Sequence, residues 1–169
     1  MSYRDPTYVI FDGGNDMWAY GFMLGWVRND KVAFDFKDAH DLDTMTSRAQ
    51  GEEYVKKHLR ARMEKSVAAL VIVGESTKNL YKFIRWELEL AQSLGLPIVA
   101  TNLNDKRRQD DDLCPPIIRN TCVLHVAFRM AIIRKALDEW PGEFSRLSAA
   151  ERAQGWRYYN DEIYRSVGL

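Results

Sequence analysis

One carboxylate is out of place in the stretch YKFIRWELELAQSLGLPIVA, residues 81–100. At about 100° of turn per residue, Phe83, Ile84, Trp86, Leu88, Leu90, Ala91 and Leu94 form an apolar stripe, with Arg85, Glu89, Gln92 and Ser93 opposite. Glu87 falls inside the stripe. Two readings follow. It is either a structural carboxylate, buried and paired with an arginine or a backbone donor or set at a helix edge where the stripe meets water, or a carboxylate facing a crevice, where low local polarity makes its charge effective. A second cluster, DGGND at 12–16, brings Asp12, Asn15 and Asp16 around a glycine turn. It has neither the G-x-G-x-x-G nor the Walker spacing, and two acids disfavour a bare phosphate cradle. That leaves a plain turn or a site for the hydroxyls of a ribose or cofactor.

Other polar groups carry weaker signals. FKDAHDLD (36–43) clusters Asp38, His40, Asp41 and Asp43. These are possible oxygen and imidazole ligands for a divalent ion. No matched second cluster exists in the sequence, and a solvated acidic loop is the simpler reading. KRRQDDD (106–112) reads as a solvated loop with offsetting charges. GES (74–76) lacks the final x-G of a nucleophile elbow. His125 lies in an apolar run and reads as a core histidine. Cys114 and Cys122 are the only cysteines and have no metal-site spacing, so two free thiols in a reducing compartment are expected.

The elements that must position these residues alternate. TYVIF (7–11), KVAFDF (31–36), SVAALVIV (66–73), PIVATNL (97–103) and CVLHVAF (122–128) have strand character. SVAALVIV is continuous in the manner of a strand buried on both faces. Helical patterns occupy 16–28, 49–65, 81–94 and 129–140. Gly21 and Gly25 stack to let the first helix approach a sheet, Tyr54, Val55, Leu59 and Met63 share one side of the second, and Pro141 with Gly142 stops the last. Strict alternation predicts one α/β domain, a doubly wound parallel sheet of five strands in the order 2-1-3-4-5. Ligands then bind beyond the carboxyl ends of the strands. The loops 12–16 and 37–43 and the segment 74–87 all belong to that edge. Residues 145–169 read as a helical appendage, either docked on the domain or serving as a partner-binding or self-assembly element, opened by the capping box of Ser148 and Glu151, with Trp156, Tyr159, Ile163 and Val167 on one helical face.

The 24 basic and 24 acidic residues balance, so no overall charge favours nucleic acid or a membrane surface. No window has the ~18 apolar residues of a membrane span. The opening MSYRDPTYVIFDGG lacks the pattern of a signal peptide. A cytoplasmic protein is expected, with neither nucleic acid nor membrane as partner.

The run VIVGESTKNLYKFIRWELELAQSLGLPIVA resembles the TIR and TIR-like domains, most closely the ThsB group of the Thoeris anti-phage systems. Val71–Val73 match the family's buried strand, and Gly74, Ser76 and Thr77 its turn. Phe83 is the aromatic residue four before the glutamate, and Gly95–Val99 the closing strand. YVIFDGGND (8–16) is similar to the first strand and loop, and Asp38 and Ala39 fall in the loop that the family uses over its nucleotide site. The resemblance covers about residues 7–140, which makes 1–144 a TIR-like domain and leaves 145–169 as the appendage. The family often has Trp where Phe83 stands, and a serine with aromatic residues where this chain has DGGND.

The resemblance implies an enzyme that cleaves the nicotinamide–ribose bond of NAD, with Glu87 catalytic. It gives ADP-ribose or a cyclic or derivatised form that signals to an effector protein. Phe11, Asp12, Asn15, Asp16, Asp38, His40, Thr77, Phe83 and Trp86 would bind substrate. NAD would be substrate, with no separate cofactor or metal, and a homo-oligomer is expected. The alternative is a non-catalytic TIR-like module that acts by self-association.

Overall fold

Alternation of side chains along the strands builds two cores on the two faces of one sheet. The computed structural model describes residues 5–28, 37–38, 52–79 and 83–169. The strands are β1 (Pro6–Ile10), β2 (Lys37–Asp38), β3 (Ala68–Val73), β4 (Ile98–Asn102), β5 (Leu124–Ala127) and β6 (Arg157–Tyr158). All pairings are parallel, in the order β2-β1-β3-β4-β5-β6. β1 therefore lies between β2 and β3, with Tyr8 opposite Ala69 and Thr7 opposite Asp38. The strand expected at 31–36 and the loop residues 39–43, His40 among them, lie outside the described residues. Lys37 and Asp38, expected in the loop after the second strand, instead form β2.

The helices are α1 (Met17–Val27), α2 (Glu52–Met63), α3 (Phe83–Ser93), α4 (Met130–Arg146), α5 (Ala149–Arg152) and α6 (Asp161–Ser166). Val9, Phe11, Leu70, Ile72, Val99, Leu124 and Val126 point to one face, where Ala19, Tyr20 and Met23 of α1 and Ile132, Ile133, Ala136, Leu137 and Trp140 of α4 cover them. The intervening Tyr8, Ile10, Ala69, Val71, Val73, Ile98 and Ala100 meet Leu59 and Met63 of α2 and Ile84, Leu88 and Ala91 of α3 on the other. This is the period of two expected of strands buried on both faces.

Three expectations about the helices are corrected. Pro141 does not stop the helix, since α4 continues through it to Arg146. Trp140 and Pro141 are both buried, and that packing outweighs the lost backbone hydrogen bond. Gly21 and Gly25 face outward, and a Cβ on either would meet nothing within 4 Å, so they do not mediate a close approach to the sheet. Tyr54 is exposed and its ring lies 4.3 Å from that of His58 instead of joining Leu59 and Met63.

The chain after 145 is not a single docked helix. The capping box forms, with Ser148 Oγ accepting from the Glu151 N–H at 3.3 Å and the Ser148 N–H donating to Glu151 at 2.8 Å. Its helix ends within four residues. Gly155, at φ +91°, then turns the chain into β6, a sixth strand beside β5. Asn160 caps α6, whose fully buried Tyr164 accepts a hydrogen bond from the Ala127 N–H at 3.0 Å.

Candidate functional site

The loop after β1 is closed by its own first acid. Asp12 Oδ1 accepts from the backbone N–H groups of Gly14 (2.8 Å) and Asn15 (3.3 Å), and Oδ2 accepts from the Asn15 amide (2.8 Å) and the Ser76 hydroxyl (2.6 Å). Ser76 belongs to the segment after β3, so Asp12 ties the two loops that leave adjacent strands. Burial alone would raise the Asp12 pKa, but the hydrogen bonds from Ser76, Asn15 and Gly14 outweigh it and hold the carboxyl below its ordinary value.

Asp16, at the start of α1, has the opposite balance. Burial pushes its pKa up. The Thr77 hydroxyl, donating at 3.2 Å, lowers it, and the charges of Asp12 and Glu75 raise it again. Thr77 Oγ1 accepts in turn from the Gly74 N–H at 2.8 Å. Gly74 is required by space. A Cβ there would lie 2.5 Å from both carboxylate oxygens of Asp16. Asn15, Asp16, Gly74, Ser76, Asn79 and Asn104 line a cleft of ≈490 Å³ at the carboxyl edge of β1, β3 and β4. Its acceptors outnumber its cations, which suits a hydroxyl-rich ligand such as a sugar better than a bare anion.

Glu87 lies elsewhere. It is buried on α3, and Tyr8, the middle residue of β1, donates its hydroxyl to Glu87 Oε1 at 2.8 Å. The lone carboxylate of the apolar stripe thus meets a phenol from the sheet. Beside it, Phe83 and Trp86 make an edge-on pair at 5.5 Å, and Lys56 Nζ sits 4.3 Å over the Trp86 ring.

The expected site residues therefore fall into groups. Asp12, Asn15, Asp16 and Thr77 converge, joined by Ser76 and Gly74. Glu87, Phe83 and Trp86 share α3, and the ≈490 Å³ cleft is not lined by them among the described residues. Phe11 is a core residue, stacked on Tyr20 at 4.6 Å on the face opposite Glu87, and does not line the cleft. Asp38 is in β2. Tyr8 was not anticipated as a site residue. The signal was present, since a tyrosine on a core-facing strand position needs a partner for its hydroxyl, as a buried carboxylate needs a donor.

Among the described residues no group of three His, Cys, Asp or Glu side chains is placed to hold a metal ion. No helix there is long and apolar enough to cross a membrane. Cys114 is buried, and burial pushes its thiol up to about 12, so it stays a protonated core thiol.

A parallel doubly wound sheet with a polar cleft at the carboxyl ends of β1, β3 and β4 is the architecture of a ligand-binding α/β domain. Residues 8–108 match the family model for the Thoeris protein ThsB, TIR-like domain, and the chain belongs to that family. No curated protein matches it.

Proposed function

We propose that this protein acts in anti-phage defence as an NAD-consuming enzyme that breaks the bond between nicotinamide and ribose, with Glu87 as the catalytic carboxylate. The observation that carries the reading is the Tyr8–Glu87 pair. A carboxylate withdrawn from water and held by a phenol at 2.8 Å, at the position that the sequence resemblance gives to the family's glutamate, is a preorganised negative charge. When the C1′–N bond breaks, its electron pair leaves with nicotinamide and neutralises the pyridinium. Positive charge then spreads over C1′ and the ring oxygen, as in glycoside hydrolysis. Glu87 stabilises that charge and holds the ribose hydroxyls. Water attack on C1′, with loss of a proton, gives ADP-ribose, and attack by a hydroxyl of the same molecule gives a cyclic signal for an effector. Phe83 and Trp86 supply an apolar wall for a ring, and Asp12, Asn15, Asp16 and Thr77 supply hydroxyl acceptors and donors at the sheet edge. Incubation of the protein with NAD, alone and with lysate from phage-infected cells, and resolution of the products by mass spectrometry tests this. Nicotinamide with a matching ADP-ribose species is expected, and intact NAD under both conditions rejects it.

A second reading, a module that signals by self-association, is favoured by a different observation. Met17, Trp18 and Phe22 of α1 are exposed, at 36%, 53% and 59%, and the outward Gly21 and Gly25 lie among them. Patches of this kind mark interfaces. Assembly with unchanged NAD would favour it.

A further inference from the structure

The loop KRRQDDD is built too firmly for a solvated connection. Asn102, buried at the end of β4, donates both amide hydrogens of its side chain to the carbonyls of Lys106 and Arg108, each at 2.9 Å. Gln109, also buried, donates to Asp111 at 2.6 Å and to Asn120 at 3.1 Å, and accepts from the Asn120 N–H at 2.8 Å. Asp110 accepts from the Asn104 side chain at 2.7 Å and the Asp112 N–H at 3.0 Å. Buried amides thus fix the backbone, and three successive cationic side chains project from it.

These side chains line a cleft of ≈390 Å³ together with Tyr158–Asp161. The far wall comes from β6 and the start of α6, beyond the 8–108 family match. Lys106 pairs with Asp110 at 2.8 Å, and Arg107 pairs with Asp161 at 3.0 Å and lies 4.1 Å over the Tyr164 ring. Arg108 is exposed, stacks 4.3 Å over Tyr158 and has no ion-pair partner among the described residues. A stacked guanidinium keeps its N–H donors in one plane, which lowers the entropic cost of engaging an anion. Lys106 and Arg107 each retain unused donors.

We propose that this cleft is a second ligand site, for the phosphoryl or diphosphoryl group of a nucleotide-type anion, with Arg108 as its central donor. The site lies along the same sheet edge as the acidic cleft, yet is separate from it. Asn104 lines the one and Lys106 the other. Acceptor-rich chemistry at the first and free guanidinium donors at the second divide a sugar-binding role from a phosphate-binding one. The inference does not depend on catalysis at Glu87.

Inorganic pyrophosphate and ADP are the probes, titrated calorimetrically into the full chain at low and moderate salt. Pyrophosphate should bind with a millimolar or tighter Kd and weaken as salt rises. Arg108→Ala should weaken it on the order of tenfold or more, and Tyr158→Ala, which frees the guanidinium, by less. Arg146→Ala, an exposed arginine outside the cleft, should leave it unchanged. ADP binding tighter than pyrophosphate, with the same loss in Arg108→Ala, would show that a nucleotide is the ligand class. Both variants should melt with the parent, since Arg108 and Tyr158 are exposed. No heat at about 10 mM pyrophosphate, or equal binding by Arg108→Ala, overturns the proposal. Glu87→Gln should bind pyrophosphate like the parent whatever it does to NAD, so the two readings fail separately.

Discussion

At the residue scale, two acids are set to different tasks by what donates to them. Glu87 receives the Tyr8 hydroxyl. Glu87→Gln keeps size and hydrogen bonding but removes the charge, so nicotinamide release should fall on the order of 10²-fold or more. Folding should survive, because a neutral amide is cheaper to bury than a carboxylate. Glu89→Gln on the same helix, where the residue only pairs with exposed Arg85, is the matched control. Tyr8→Phe strips a donor from a buried carboxylate and should cost about 1–3 kcal/mol in denaturant unfolding. Asp16 links stability to pH. Its pKa is raised, chiefly by burial, so the folded state holds the proton more tightly than the unfolded one. Its ionisation therefore removes stability as pH rises from the ordinary aspartate range through the raised value. Asp16→Asn should melt higher than the parent at pH 7, and the gain should shrink as pH falls through the acid range. A melting difference that does not change with pH would contradict this.

At the element scale, the turn after β3 and the start of α1 are fitted to each other through one missing side chain. Gly74→Ala places a methyl 2.5 Å from both Asp16 carboxylate oxygens and should destabilise by about 1–3 kcal/mol. Asp16→Ala removes the obstacle, so the double variant should lose less stability than the sum of the single losses. Equal additivity in denaturant titrations would show that the two segments do not touch as described. α1 carries a separate expectation. Its exposed Trp18 and Phe22 meet edge-on at 5.9 Å, and Trp18 approaches Phe128 at 6.2 Å, so the patch is held in place by the domain behind it. If self-association runs through this face, Phe22→Ser should reduce the sedimentation coefficient of the assembled form without lowering the melting temperature.

At the scale of the whole molecule, the second half of the sheet contributes to acid stability. His125 sits in β5 between β4 and β6, fully buried, and neither ring nitrogen has a hydrogen-bond partner among the described residues. Burial lowers its pKa to about 4, against a small opposing pull from Asp111. The folded state therefore disfavours the imidazolium. The stability it contributes is complete above the unfolded value of about 6.5 and is lost as pH falls from there to about 4, a change of roughly 3 kcal/mol. Thermal melts of parent and His125→Gln across pH 4–7 test this, and the variant should have the flatter acid limb. Parallel limbs would mean that His125 finds a partner in the folded state.

The sequence by itself determined the parallel sheet and the oddity of Glu87, because both are written in local periodicity. The runs at 68–73 and 98–102 are buried throughout, as strands covered on both faces require, and a carboxylate on an apolar helical stripe is visible without any partner. Only the tertiary structure decided what Glu87 meets, since Tyr8 is 79 residues away. It also put Phe11 on the face opposite Tyr8, stacked on Tyr20, because position parity along a strand does not say which face a ligand uses. Pro141 and the 145–169 segment were misread for one reason. Local stop and helix signals are worth about 1–3 kcal/mol, less than burying Trp140, Tyr159 and Tyr164 against a sheet edge that no local window contains.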